Sequence, residues 1–399
     1  MPYAKVLTRG ILPLLLASGA YYLIAAPDLK SLYDAHDWFA LRDALTSSPD
    51  QALYAGAVAA AFDQTKQAEE KLRSVIDDGS DSDAAADASS WLSYMYLRHG
   101  QYRKAAAEMD PASPLAGILA GMPDQSTSSF SQSSVAGRIY RNKLYVPIRI
   151  GEKSAELFLD SDANFSFLSE SAARAFGLSI RGSDVGTVHG ASGANASVRL
   201  AVADRLTIGN VEIHNAAFMV LSDSEEVFQH LSVPQQGALG LQVLLALKAI
   251  RFSNRGNLDI GFPSPDSGSP QNLCFDGVNP VTLVRFHQQD LPVVLDTGAE
   301  LTELWPPFAN RFSDVLSASG RSGSTFERGF GGRTHIANKT LPDLNLRIGG
   351  FDAHLRTAQV LLSPTTPDSQ RYFARLGFDV LSSAHQVTID FADLELSVE

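Results

Sequence analysis

Residues 159–169 read LDSDANFSFLS, and residues 295–305 read LDTGAELTELW. Each stretch is an apolar approach, an aspartate, a hydroxyl-bearing residue and a short polar break before a second apolar run. The lead-ins Leu157-Phe158-Leu159 and Val293-Val294-Leu295 predict buried strands that deliver Asp160 and Asp296. The same landmarks then follow both copies in the same order. Leu206-Thr207-Ile208-Gly209 answers Leu346-Arg347-Ile348-Gly349, and ALGLQVL (238–244) answers RLGFDVL (375–381). Gly240 lies 80 residues beyond Asp160, and Gly377 lies 81 beyond Asp296. Between these landmarks each copy carries a Gly-rich turn, VHGASG (188–193) and GFGG (329–332). Each closes on a strand pair, AIRFSNRGNLDI (249–260) and VTIDFADLEL (387–396). Landmarks repeated in order at nearly constant spacing mark an internal duplication.

The duplicated region occupies residues 138–262 and 274–399, where short apolar strands such as KLYVPIRI (143–150) alternate with Gly, Asn and Ser clusters. That pattern predicts mostly antiparallel β structure. A Pro/Ser/Gly linker (263–273) divides the halves, and a Ser-rich linker (122–137) precedes them. Residues 28–121 read differently, with apolar positions at three- and four-residue spacing and an acidic break, DDGSDSD (77–83). Leu92, Tyr96, Gly100, Tyr102 and Ala105 form a pattern that Gly56, Ala68 and Leu72 partly echo. This stretch resembles a degenerate tetratricopeptide pair, whose small residues let antiparallel helices approach closely.

The β region resembles the retropepsin-like aspartic proteases across 138–399, through VVLDTGA (293–299), the Gly-rich turns and LGFDVL (376–381). The resemblance implies an α+β chain, a mainly β bilobal pepsin- or retropepsin-like fold behind an N-terminal α-helical domain. It also implies two lobes whose loops meet at a pseudo-twofold axis, with Asp160 and Asp296 as the catalytic pair. Two carboxylates sharing a site suit this chemistry, because like charges about 3 Å apart cannot both ionise and one keeps a proton. One carboxylate then takes a proton from water while the other protonates the carbonyl. Ser161 and Thr297 would bond the opposite loop, and Gly298 would leave room for the partner carboxylate. The turns at His189, Gly190 and Gly193, and at Phe330, Gly331 and Gly332, would be flaps over an extended polypeptide substrate. Gly190-Ala191-Ser192-Gly193 lacks the G-x-S-x-G spacing of a serine-hydrolase elbow. Asp379, matched by Gln242 in the first half, reads as structural.

One departure bears on activity. The first copy has Asp162 where the family has glycine, which puts a third carboxylate beside the pair. Three readings stand: a working single-chain endopeptidase, a peptide-binding pseudoprotease, and pairing of second lobes from two chains. A fourth, of another class, is an exported scaffold that binds a protein partner through its helical domain.

Composition removes other classes. A net charge of −12 argues against nucleic-acid binding, which needs a basic face. The one cysteine, Cys274, and nine histidines without HExxH spacing offer no metal pattern, so neither metal nor cofactor is expected. Lys5 and Arg9 precede an apolar run, and Ser18-Gly19-Ala20 suits cleavage. Residues 1–26 therefore read as a signal peptide or membrane anchor, with attachment through residues 11–26, in an exported periplasmic or secreted protein. Triplets at Asn164, Asn195 and Asn338 fit N-glycosylation only in a eukaryotic secretory pathway.

Overall fold

One strand-pairing order is built twice. In the first half, strand Leu144–Ile150 pairs antiparallel with Lys153–Leu159, which runs parallel to Gly237–Leu239. That strand lies antiparallel to Ser166–Ser169, which is parallel to Val211–Leu221. The long strand Asn195–Ile208 then pairs with Val211–Leu221 and with Ile180–His189, and bends back onto Leu144–Ile150 at Arg149 and Thr207. In the second half the same order runs through Asn279–Phe286, Gln289–Leu295, Ala374–Leu376, Glu303–Leu304, Phe351–Leu361, Gly332–Ile348 and Arg321–Gly329. The return contact recurs as Val284 with Ile348. Each half thus curls into a barrel-like sheet around alternating apolar residues.

This computed structural model describes residues 28–45, 51–190, 192–262 and 271–399. The expected export or anchor segment at 1–26 lies outside the described residues, as does most of the linker at 263–273. Among the described residues no helix is long and apolar enough to cross a membrane.

The halves are joined by a five-stranded antiparallel sheet. At its centre Ala249–Ser253 of the first half pairs with Gln386–Asp390 of the second, Ile250 facing Ile389. The stretch read as a Ser-rich linker contributes two strands. Ser133–Ala136 joins this sheet beside Asn257–Ile260, and Ser126–Ser129 edges the first barrel along Val211–Leu221. All four residues of Ser126–Ser129 are exposed, so backbone pairing rather than apolar burial places that strand.

The N-terminal region is helical from Leu29 to Ala120, in seven helices among the described residues. The acidic break acts as a stop and a start. Gly79 ends helix Thr65–Asp78 in the left-handed conformation (φ +58°), and Asp81 caps Ser82–Arg98 by accepting from the amides of Asp83 and Ala84. Gly56 packs directly on Leu72, where a Cβ would lie 2.7 Å from the leucine side chain. The region docks on both halves. Arg98, fully buried, donates to the carbonyl of Gly277 (2.7 Å) and pairs with Asp63 (2.9 Å), while His36 meets Asp276 (2.8 Å). On the other side Tyr102 donates to Gln242 (2.9 Å), and Gln242 donates to the carbonyl of Leu97 (2.9 Å).

Candidate active site

Asp160 and Asp296 leave the ends of matched strands, and their amides are fixed the same way. Asp160 N–H donates to Leu239 O, and Asp296 N–H to Leu376 O, each at 3.0 Å. The two loops are then locked to each other. The Ser161 amide donates to Thr297 Oγ1 and the Thr297 amide to Ser161 Oγ, both at 3.0 Å. Each hydroxyl in turn donates a hydrogen bond to the strand opposite, Ser161 to Leu295 O (2.6 Å) and Thr297 to Leu159 O (3.0 Å). Ser161 and Thr297 are 0% and 1% exposed, so this four-bond lock is worth more than a surface network.

The lock brings both carboxylates onto Gly298. Its amide donates to Asp296 Oδ1 (2.8 Å), as does that of Ala299 (2.9 Å). On its other side lies the Asp160 carboxylate, where a Cβ on residue 298 would fall 2.5 Å from Oδ2. Only glycine leaves that space. The first loop has no matching gap, because residue 162 is aspartate. Asp296 Oδ2 instead lies 3.8 Å from Nε of Arg375. Asp162 lines the same cleft, and its Oδ1 is out of solvent with no hydrogen-bond partner.

The environments of the carboxyls differ. Burial first, then the charge of Asp296, pushes Asp160 up to about 7, against the pull of Lys143 and the Ala163 amide (3.1 Å). Burial also raises Asp162, with further upward pressure from Asp296, Asp368 and Asp160.

Three groups that the sequence reading missed complete the site. Arg375 Nη2 donates to Glu327 (2.8 Å) and Glu303 (3.3 Å), both buried. Burial works against this guanidinium, but Glu327, Glu303 and Asp296 together hold its proton more firmly than usual. Burial, then the charge of Glu327, lifts Glu303 to about 8, although Arg375 opposes this. A signal existed in the duplication. Arg375 pairs in register with Val294 as Ala238 does with Phe158, and Glu303 stands where the first half has Phe167. Charged residues replacing apolar ones at matched core positions mark an asymmetric site.

The Gly-rich turns meet each other over the cleft. A side chain on Gly190 would collide with the backbone of Phe330, and the Phe330 ring packs edge-on against Phe167 (4.9 Å). The Gly331 amide donates to Glu225 (2.9 Å), Thr334 donates to the carbonyl of Ser192 (2.8 Å), and Gly193 packs on Thr365. Gly332 sits at the turn with φ +129°. His189 pairs through its backbone with Asn195, and its side chain lies outside the described residues. Asp379 accepts from the amide and hydroxyl of Thr302 (2.8 and 2.7 Å), bracing the second loop away from Asp160 and Asp296.

The raised carboxyls set a pH dependence. Asp160 at about 7, Glu303 at about 8 and Asp368, raised to about 6 by burial and then by Asp276, hold protons that the unfolded chain releases near pH 4. A folded-state pKa above the unfolded one gives stability that is full below the unfolded value and lost as pH rises through the folded value. The melting temperature is therefore expected to fall steadily between pH 5 and pH 8. Calorimetry showing a flat or rising profile over that window would contradict the protonation assigned to these groups.

A family model described as aspartyl protease matches residues 146–243, which span Asp160 and Gly240. Among solved structures, the chain is similar to the crystal structure of a retropepsin-like aspartic protease from Rickettsia conorii. The identity is 18%, the alignment covers 35% of this chain and 96% of that one, and the TM-score is 0.26. No curated protein sequence matches the chain.

Proposed function

We propose that the protein is an aspartic endopeptidase with two tandem retropepsin-like lobes, 138–262 and 274–399, each supplying one carboxylate. The observation that carries this reading is the nesting of Asp160 on Gly298, whose amide holds Asp296, within the Ser161–Thr297 lock. Asp296, with two amide donors and Arg375 beside it, takes a proton from water as the water oxygen bonds to the peptide carbonyl carbon. Asp160, kept protonated up to about pH 7, gives its proton to the carbonyl oxygen. Proton transfer to the amide nitrogen then accompanies C–N cleavage, and the pair regains its single proton. The paired turns at Gly190 and Phe330 would open to admit the chain and close to exclude bulk water. Residues 28–121, read as a degenerate tetratricopeptide pair, would present the substrate or a protein partner. Residues 1–26 would export or anchor the enzyme.

Asp162 favours one second reading, a pseudoprotease that binds extended peptides, because a third buried carboxyl crowds the pair. Incubation of the purified protein with a peptide pool between pH 3 and 8 separates the two. Cleavage is expected to be fastest in acid, to decline near pH 7 as Asp160 loses its proton, and to be blocked by a statine-type inhibitor. Peptide binding without cleavage, together with cleavage gained in Asp162→Gly, would replace the endopeptidase reading with the second.

A further inference from the structure

The cleft holding Asp160 and Asp296 does not end at the β halves. It encloses about 1540 Å³ and runs on to the helical region, where Tyr33, Asp87, Trp91 and Tyr94 form its wall. That wall is fixed relative to the carboxylates. Arg98 and His36 hold the helices on Gly277 and Asp276, and the Tyr94 ring lies against Gly277 while remaining 43% exposed.

The chemistry of the wall is specific. The Trp91 indole donates to Tyr33 Oη (3.0 Å), and Tyr33 in turn donates to Asp87 (3.3 Å), so a carboxylate is presented among aromatic rings. Aromatic faces beside a carboxylate attract cations. Beside the wall Asp276 is already taken by His36 (2.8 Å) and the Tyr372 hydroxyl (2.7 Å), and Asp368 accepts from Asn279 (3.0 Å). Along the whole cleft ten carboxyl side chains face five Lys or Arg, three of which are paired within it: Arg375 with Glu303 and Glu327, Arg328 with Glu226 and Arg371 with Asp276.

We infer that the helical region supplies a remote subsite for a Lys or Arg side chain of the polypeptide lying in the cleft. The inference rests on the cleft being a polypeptide site, as the endopeptidase reading holds. The helices are then part of substrate recognition, selecting chains by a basic residue outside the immediate cleavage point. The Asp87 carboxylate framed by Tyr33, Trp91 and Tyr94 is what would hold the basic side chain.

The test uses the full chain carrying Asp160→Asn and Asp296→Asn, so that peptides are bound and not consumed. The probe is a random library of 14-residue peptides, with the bound fraction sequenced. Enrichment of Lys or Arg is expected, and a single selected peptide should lose about 5- to 10-fold in affinity with either Asp87→Asn or Tyr94→Ala added. Both positions are exposed, so folding is retained, and Tyr140→Ala, an exposed aromatic outside the cleft, should leave binding unchanged. No basic preference, no binding, or binding indifferent to Asp87 and Tyr94 would overturn the inference. Selective binding by this variant alongside no cleavage by the natural chain would keep it and remove the endopeptidase reading alone.

Discussion

Asp160→Asn and Asp296→Asn are each expected to slow peptide hydrolysis by about 10²- to 10⁴-fold, the usual span for losing a positioned acid or base. The two changes act differently. Asparagine at 160 still fills the space over Gly298 and still accepts from the Ala163 amide, but it has no proton to give. Asparagine at 296 loses the carboxylate that two amides and Arg375 surround. Because the pair works as one unit, the double variant should be about as slow as the slower single one. The stabilities should diverge as well. Asp160→Asn removes a buried carboxyl that must ionise as pH rises, so it should resist unfolding better than the natural chain at pH 8. Measured kcat/KM at natural level in either single variant would end the one-chain dyad, and survival in Asp160→Asn alone would point to paired second halves.

How much of this was legible depends on whether a partner lies nearby in the pattern. The duplication was visible because each landmark has a copy, and the Gly298–Asp162 contrast followed from aligning them. The matched strands and the Ser161–Thr297 lock are local consequences of those landmarks. Other features arise between residues far apart in the chain. Gln242 was seen to replace Asp379, yet its use as an anchor for Tyr102 and Leu97 depends on helices about 140 residues earlier. Ser126–Ser129 has no apolar alternation, so nothing in its side chains marks the edge strand that its backbone forms. Glu327 lies in the strand leading to the second turn, and only folding brings it to Arg375.

Arg375 carries the second large expectation. Its guanidinium is the cation closest to three buried carboxyls, Asp296, Glu303 and Glu327, at 3.8, 3.3 and 2.8 Å. Removing one member of a buried ionic group leaves the others uncompensated, at a cost of about 3–5 kcal/mol. Arg375→Met should therefore unfold at markedly lower denaturant at pH 7, chiefly because Glu327 loses its charged partner at 2.8 Å. Acid should restore much of the loss, since protonation removes the stranded charge. Activity should change independently of stability. With the cation 3.8 Å from the Asp296 carboxylate gone, kcat/KM should fall by about 10-fold or more even where the variant is fully folded. Arg375→Lys keeps the charge but loses the planar fork whose Nε lies by Asp296 while Nη2 reaches Glu327 and Glu303, so it should recover only part of the stability and of the activity. An unchanged kcat/KM in Arg375→Met, measured where the variant is fully folded, would reduce Arg375 to a structural tie and leave the division of labour between Asp160 and Asp296 to burial and amide donors alone.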